Sequence, residues 1–101
     1  MNQERIKKLE RTSKELVSKF IFEEMWESEI DFWLITVTWV KISSDLSYLD
    51  IYISCFKNNE ILAKTLAKHA YIIQKKLNKS ILIRKLPKIR FRYDEVWEIS
   101  Q

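Results

Sequence analysis

The 101-residue chain contains no glycine. Glycine lets the backbone approach a phosphate closely and take positive φ without a steric cost. Its absence excludes a phosphate-cradling P-loop, the dinucleotide fingerprint and a nucleophile elbow. Cysteine and histidine occur once each, as Cys55 and His69. A lone cysteine excludes an internal disulfide and fits a reducing compartment. One cysteine and one histidine also exclude a zinc site of the usual kind. No apolar run approaches the roughly 18 residues of a membrane span. The N-terminus, MNQERIKKLERTSKEL, is charged where a secretory signal has an apolar core. These absences predict a soluble cytoplasmic protein. Because chains of roughly 55–65 residues already fold alone, residues 1–101 are expected to form one domain.

What the chain has is charge, unevenly placed. The formal net charge is only +4, yet Ile61 to Tyr93 holds ten Lys and Arg and no Asp or Glu. The remainder holds the other eight cations and all fourteen carboxylates, a net of −6. Such asymmetry points to a polyanionic partner. A solvated lysine face, or pairing with the acidic half, accounts for the same charges without one.

Residues from about Glu4 to Trp26 have helical periodicity. Ile6, Leu9, Leu16, Val17 and Phe20 share one side with Ser13, and Lys7, Arg11, Lys14 and Ser18 lie opposite. Glu10 with Lys14, and Arg11 with Glu15, are spaced to pair along the helix. WLITVTWVKI, Trp33 to Ile42, predicts a strand. SSDLS predicts a turn, and LDIYISCF, Leu49 to Phe56, a second strand antiparallel to the first. KNNE predicts a helix entry capped by Asn58 or Asn59. The helix ILAKTLAKHAYIIQKKL then carries Leu62, Leu66, Ala70, Ile73 and Leu77 on its apolar stripe, with Lys64, Lys68, Tyr71 and Lys75 on the far side. ILIRKLPKIRFRYD, Ile81 to Asp94, predicts two short strand-like pieces hinged at Pro87, the only proline. Ile89, Phe91 and Tyr93 alternate there with Lys88, Arg90 and Arg92. Proline cannot donate a ladder hydrogen bond, so this strand belongs at a sheet edge or bends there. The order helix-strand-strand-helix-strand predicts a two-layer α+β domain, a three-stranded sheet packed on helices. The last strand arrives through a helix and can pair in either direction.

Catalytic chemistry finds little purchase. Cys55 on a strand reads as core, and His69, near the border of the apolar stripe, as a packed or half-exposed side chain. Glu23, Glu24, Glu27, Glu29 and Asp31 form an acidic run after the first helix, without a Ca²⁺-loop pattern, and read as solvated loop. Trp26, Trp33, Trp39 and Trp97 read as core or hairpin packing more readily than as base-stacking platforms. No nucleophile, base and oxyanion donors can be assembled, so no enzyme, cofactor, metal or small-molecule substrate is expected. The basic residues suit a different chemistry. Lys and Arg rows neutralise phosphates and release counterions, and Arg84, Arg90 and Arg92 can hold phosphate in bidentate fashion.

RIKKLERTSKEL, ITVTWVKISSDLSYLDIYIS, LAKHAYIIQKKL and LIRKLPKIRFRYD, in that order, resemble ribosome-binding factor A, the bacterial small-subunit maturation family. The most specific piece is Ile35-Thr36-Val37-Thr38, then Val40, then Ser43-Ser44-Asp45-Leu46-Ser47, then Ile51-Tyr52-Ile53-Ser54. Lys85, Pro87, Ile89, Phe91 and Asp94 echo the family's Arg–Pro–Leu–Phe–Asp ending. The resemblance implies a type II KH-like fold without the glycine loop of ordinary KH domains. It also implies binding to the free 30S subunit and its 16S rRNA, help with late maturation of the 16S 5′ end, and support of growth at low temperature, without catalysis. The family usually has an Ala-x-Gly kink in its second helical segment. Here the triplet is His69-Ala70-Tyr71, and the apolar stripe continues through it, which predicts a mild bend or a continuous helix. Many members extend well past the last strand, so contacts of such a tail are not carried over.

The charge pattern, rather than a family motif, nominates the RNA-contacting residues: Lys64, Lys68, Lys75, Lys79, Arg84, Lys85, Lys88, Arg90 and Arg92, with Lys7, Arg11 and Lys14 on the first helix. The alternative is an adaptor whose basic face binds an acidic protein partner. A cationic edge strand discourages edge pairing, which favours a monomer.

Overall fold

The computed structural model describes residues 2–83 and 85–95. Helix α1, Gln3–Met25, starts where the Asn2 side chain accepts a hydrogen bond from the Arg5 amide at 2.8 Å, a side-chain N-cap. Strands β1, Thr36–Ile42, and β2, Tyr48–Ser54, form a hairpin, followed by a 3₁₀ turn, Asn59–Ile61. Helices α2, Leu62–Ala67, and α3, Ala70–Ser80, lead to strand β3, Lys88–Tyr93. β2 is the central strand, antiparallel to β1 and parallel to β3. The expected edge position of the last strand is therefore observed, and the open question of its direction is answered. Pro87 sits just before the ladder begins, where its missing N–H costs nothing.

One face of the sheet packs on the helices. Val37, Val40 and Ile42 of β1, Leu49, Ile51 and Ile53 of β2, and Ile89 of β3 join Val17, Phe20, Leu62, Leu66, Ile73 and Leu77 in the core. A register shift between Val37 and Trp39 marks a bulge at Thr38. The extra residue turns Val37 and Val40, three apart, onto the same face. α1 lies against β1 and α3, and α2 against β3. Among the described residues no helix is long and apolar enough to cross a membrane.

Four expectations change. Trp33 and Leu34 are left-handed, with φ of 46° and 68°, so β1 starts later than the β-prone sequence suggests. Asn58 stands at the N-cap of the 3₁₀ turn without a side-chain cap bond, and Ile61 rather than either asparagine stands at the N-cap of α2. Asn58 is itself left-handed, and its amide donates to the Asp31 carbonyl at 2.8 Å. The strand-like reading of the first piece fails for its described residues, 81–83 and 85–87, and among the described residues of the stretch Lys88–Tyr93 alone pairs. Of the two alternatives for the second helix, a mild bend or a continuous run, the continuous one fails. At Lys68 and His69 the backbone amides bond to Thr65 and Leu66 carbonyls, three residues back, at 3.2 and 2.9 Å. His69 sits at φ −99°, ψ 0°, so the break uses no positive φ and requires no glycine.

Candidate nucleic-acid interface

A shallow groove runs along the outer edge of β3, between that strand and the helices. Ala67 and Ala70, flanking the helix break, leave room at its upper part beside Ile89, Arg90, Phe91 and Arg92. Tyr71, Gln74, Asn78 and Lys88 border its lower part. Gln74 makes the edge. Its side-chain oxygen accepts the Ile89 amide at 2.8 Å, and its nitrogen donates to the Pro87 carbonyl at 3.3 Å. The amide thus occupies the place of a further parallel strand at the start of β3. Alternation then directs the Phe91 and Tyr93 amides toward the outer edge, because Lys88 and Asp94 donate inward to Ser47 and Ile53 carbonyls.

The turn that the sequence singled out, Ser43–Ser47, braces this strand. The Asp45 carboxylate accepts from the Ser43 hydroxyl at 2.8 Å and the Ser47 amide at 3.1 Å, while the Ser43 hydroxyl accepts from the Tyr48 amide at 2.9 Å. The Ser47 amide, then the Ser43 hydroxyl, hold the Asp45 carboxyl below its usual range. Leu46, at φ 63°, completes the turn, and Asp45, Leu46 and Ser47 lie beside Lys85, Leu86 and Pro87.

The cations of β3 are not equivalent. Lys88 is exposed and makes no ion pair among the described residues. Arg90 and Arg92 converge on Asp50, their neighbour on β2. Arg90 binds it through two nitrogens, at 2.7 and 3.1 Å, and Arg92 through Nε at 3.2 Å. The Arg90 guanidinium also stacks on the Tyr48 ring, 3.8 Å from its centroid. Burial raises the Asp50 carboxyl, but hydrogen bonds and charge from both arginines outweigh it and hold the group below its usual range. Asp50 holds the Arg90 guanidinium above its ordinary value. Two arginines on one carboxylate leave one net positive charge on a preorganised plane. Asp50 was not found by sequence reasoning. A lone acid between Leu49 and Ile51, in a chain with an arginine-rich strand, was the available signal.

Lys64, Lys68, Lys75, Lys79 and Lys85 are all exposed, and none is ion-paired among the described residues. The break divides the helical row: Lys64 lies on α2, Lys68 in the break and Lys75 on α3. Arg84 lies outside the described residues. Lys7, Arg11 and Lys14 are exposed on α1, which packs at the β1 side of the sheet rather than on β3. Their expected partners do not pair with them: Glu10 instead accepts the Ile42 amide at 2.8 Å and covers the edge of β1.

The acidic run also divides. Glu23 and Glu24 belong to α1, and Glu24 is not solvated loop but half-buried against His69 Nδ1 and Lys76 Nζ, at 3.2 and 3.3 Å. Burial raises the Glu24 carboxyl, and His69 and Lys76 more than compensate, leaving it lowered. Cys55 is buried, as expected. The expectation of core or hairpin packing divides: Trp39 stacks on Tyr52 across the hairpin at 4.5 Å, Trp26 and Trp33 are exposed rather than in the core, and Trp97 lies outside the described residues.

Residues 5–101 match the family model of ribosome-binding factor A. The chain belongs to the ribosome-binding factor A family. Ribosome-binding factor A of Mycoplasmopsis pulmonis is 31% identical over 96 residues, covering 92% of this chain and 84% of that one. The crystal structure of ribosome-binding factor A from Thermus thermophilus superposes with a TM-score of 0.75 at 24% identity, over 87% of this chain and 94% of that one. A Thermus thermophilus model fitted into a cryo-EM map of a 30S complex gives 0.68 at 26% identity, over 87% and 93%. The α+β fold is thus the KH-like fold of ribosome-binding factor A structures.

Proposed function

We propose that this protein binds the free 30S subunit as a monomer, in the cytoplasm, and acts by binding rather than by turnover. Its contact is the basic groove along β3, which meets 16S rRNA phosphates through Lys88, Arg90 and Arg92 and through the lysines of α2 and α3, Lys64, Lys68, Lys75 and Lys79. Arg84 and Lys85 would extend that contact, and Lys7, Arg11 and Lys14 would form a second, separate one. The observation that carries the reading is β3: Arg90 and Arg92 form a cationic plane fixed by Asp50, next to Lys88, which is exposed and makes no ion pair among the described residues. Phosphate contacts of this kind set position and orientation rather than read sequence. The Thermus thermophilus homologue placed in a 30S complex supports the partner.

Family resemblance extends the proposal to late maturation of the 16S 5′ end and to growth at low temperature. Depleting the protein should raise the fraction of 16S rRNA with unprocessed 5′ ends and slow growth in the cold, with both restored by the wild-type chain. Normal 5′ ends and normal cold growth on depletion would remove the maturation role.

A further inference from the structure

The end of the molecule where α1 runs into β1 differs from the β3 edge in both charge and surface. Phe22, Trp26, Trp33 and Leu34 are 63, 70, 63 and 67% exposed. Phe22 and Trp26, one turn apart on α1, pair at 5.2 Å between ring centroids, and Trp33 pairs with Phe56 at 5.1 Å. Phe22, Trp26 and Leu34 border a cavity of about 440 Å³ with Ile21 and Phe32 also in its wall. Its charged lining is Glu29 and Asp31, with no cation. Glu27 and Glu29 form no ion pair among the described residues, and Asp31 forms one, with Lys57 at 3.3 Å.

The backbone is held in a costly shape to present these side chains. Trp33 and Leu34 are consecutive left-handed residues, a conformation disfavoured for any side chain with a Cβ. The loop is fixed on both sides. Asp31 accepts the Trp33 amide at 3.0 Å, and the Phe32 carbonyl accepts the Phe56 and Lys57 amides at 3.2 and 3.1 Å. Clustered large apolar side chains on a surface mark an interaction site, and strain retained at such a place points the same way.

We propose that this surface docks a basic amphipathic segment of a partner protein. The rings and Leu34 require an apolar face opposite them, with tryptophan as the anchor type that dominates such contacts. The carboxylates require cations beside that face and repel RNA, so the occupant differs in class from that of the β3 groove. Residues 96–101, VWEISQ, carry a carboxylate and no cation, and do not meet the charge requirement.

Fluorescence anisotropy with a labelled Leu/Lys amphipathic helical peptide, and a Leu/Glu counterpart as control, tests the proposal. The full chain should bind the Leu/Lys peptide and not the Leu/Glu one. Trp26→Ala should weaken binding about tenfold. Leu34→Gly should also weaken it, without lowering the thermal midpoint, because glycine accepts positive φ freely. Unchanged peptide binding in both variants, or equal binding of both peptides, would overturn the proposal. So would self-association of the wild type that Trp26→Ala abolishes, which would make a second copy the occupant.

Discussion

Asp50 sets the character of the β3 surface, because one carboxylate restrains two guanidiniums. Asp50→Asn should lower stability by about 1–2 kcal/mol, the lower part of the range for hydrogen bonds to charged groups, since both arginines are partly in water. It should also tighten RNA binding by adding one net positive charge; urea denaturation and filter binding read the two effects. The Asp50 carboxyl is held below its usual value, so its contribution to stability is present above the unfolded carboxylate pKa of about 3.9. It is lost as pH falls through the lowered folded value. The wild-type advantage over Asp50→Asn should therefore shrink only on strong acidification. Ser13 makes the opposite case. It is fully buried, and its hydroxyl has no hydrogen-bond partner among the described residues. Ser13→Ala should stabilise the protein by roughly 0.5–1 kcal/mol, through better helix propensity and removal of an unsatisfied group; a thermal midpoint that falls would contradict this. The sequence placed Ser13 correctly on the packed side of α1. It did not give Asp50 its role, because the lone acid between Leu49 and Ile51 does not show which residues, forty positions on, it meets.

At the scale of elements, Gln74 joins α3 to β3 by taking both the Pro87 carbonyl and the Ile89 amide. Gln74→Ala should cost about 1–2 kcal/mol by orphaning those groups and should speed hydrogen exchange at Ile89; unchanged exchange there would show that water replaces the amide without loss. Periodicity made α1, the hairpin and β3 legible, because each has a face that must be buried. It left the second helix open between a mild bend and a continuous run, because Leu66, Ala70 and Ile73 stay on one face across the break and the i→i+3 bonds at Lys68 and His69 leave no mark on that pattern. It also misjudged Trp33 and Leu34, whose β propensity is overridden where Asp31 accepts the Trp33 amide and the Phe32 carbonyl accepts the Phe56 and Lys57 amides.

Across the whole molecule, the charge asymmetry visible in the sequence becomes a spatial one. Cations line β3, α2 and α3, while carboxylates and exposed aromatics gather where α1 meets β1. Of the candidate cations, the fold qualifies Arg90 and Arg92 as partly neutralised and separates the α1 row from the rest. Reversing the arginines would surround Asp50 with acids and confound binding with unfolding. The exposed lysines that make no ion pair among the described residues are the cleaner probe. The most direct measurement is co-sedimentation with separated 30S subunits and 70S ribosomes, comparing wild type with Lys64→Glu/Lys68→Glu/Lys88→Glu. Wild type should pellet with 30S and not with 70S, and the folded triple variant should stay in the supernatant. Wild type that fails to pellet with 30S, or a folded variant that pellets undiminished, would contradict the β3 groove as the ribosome-binding surface.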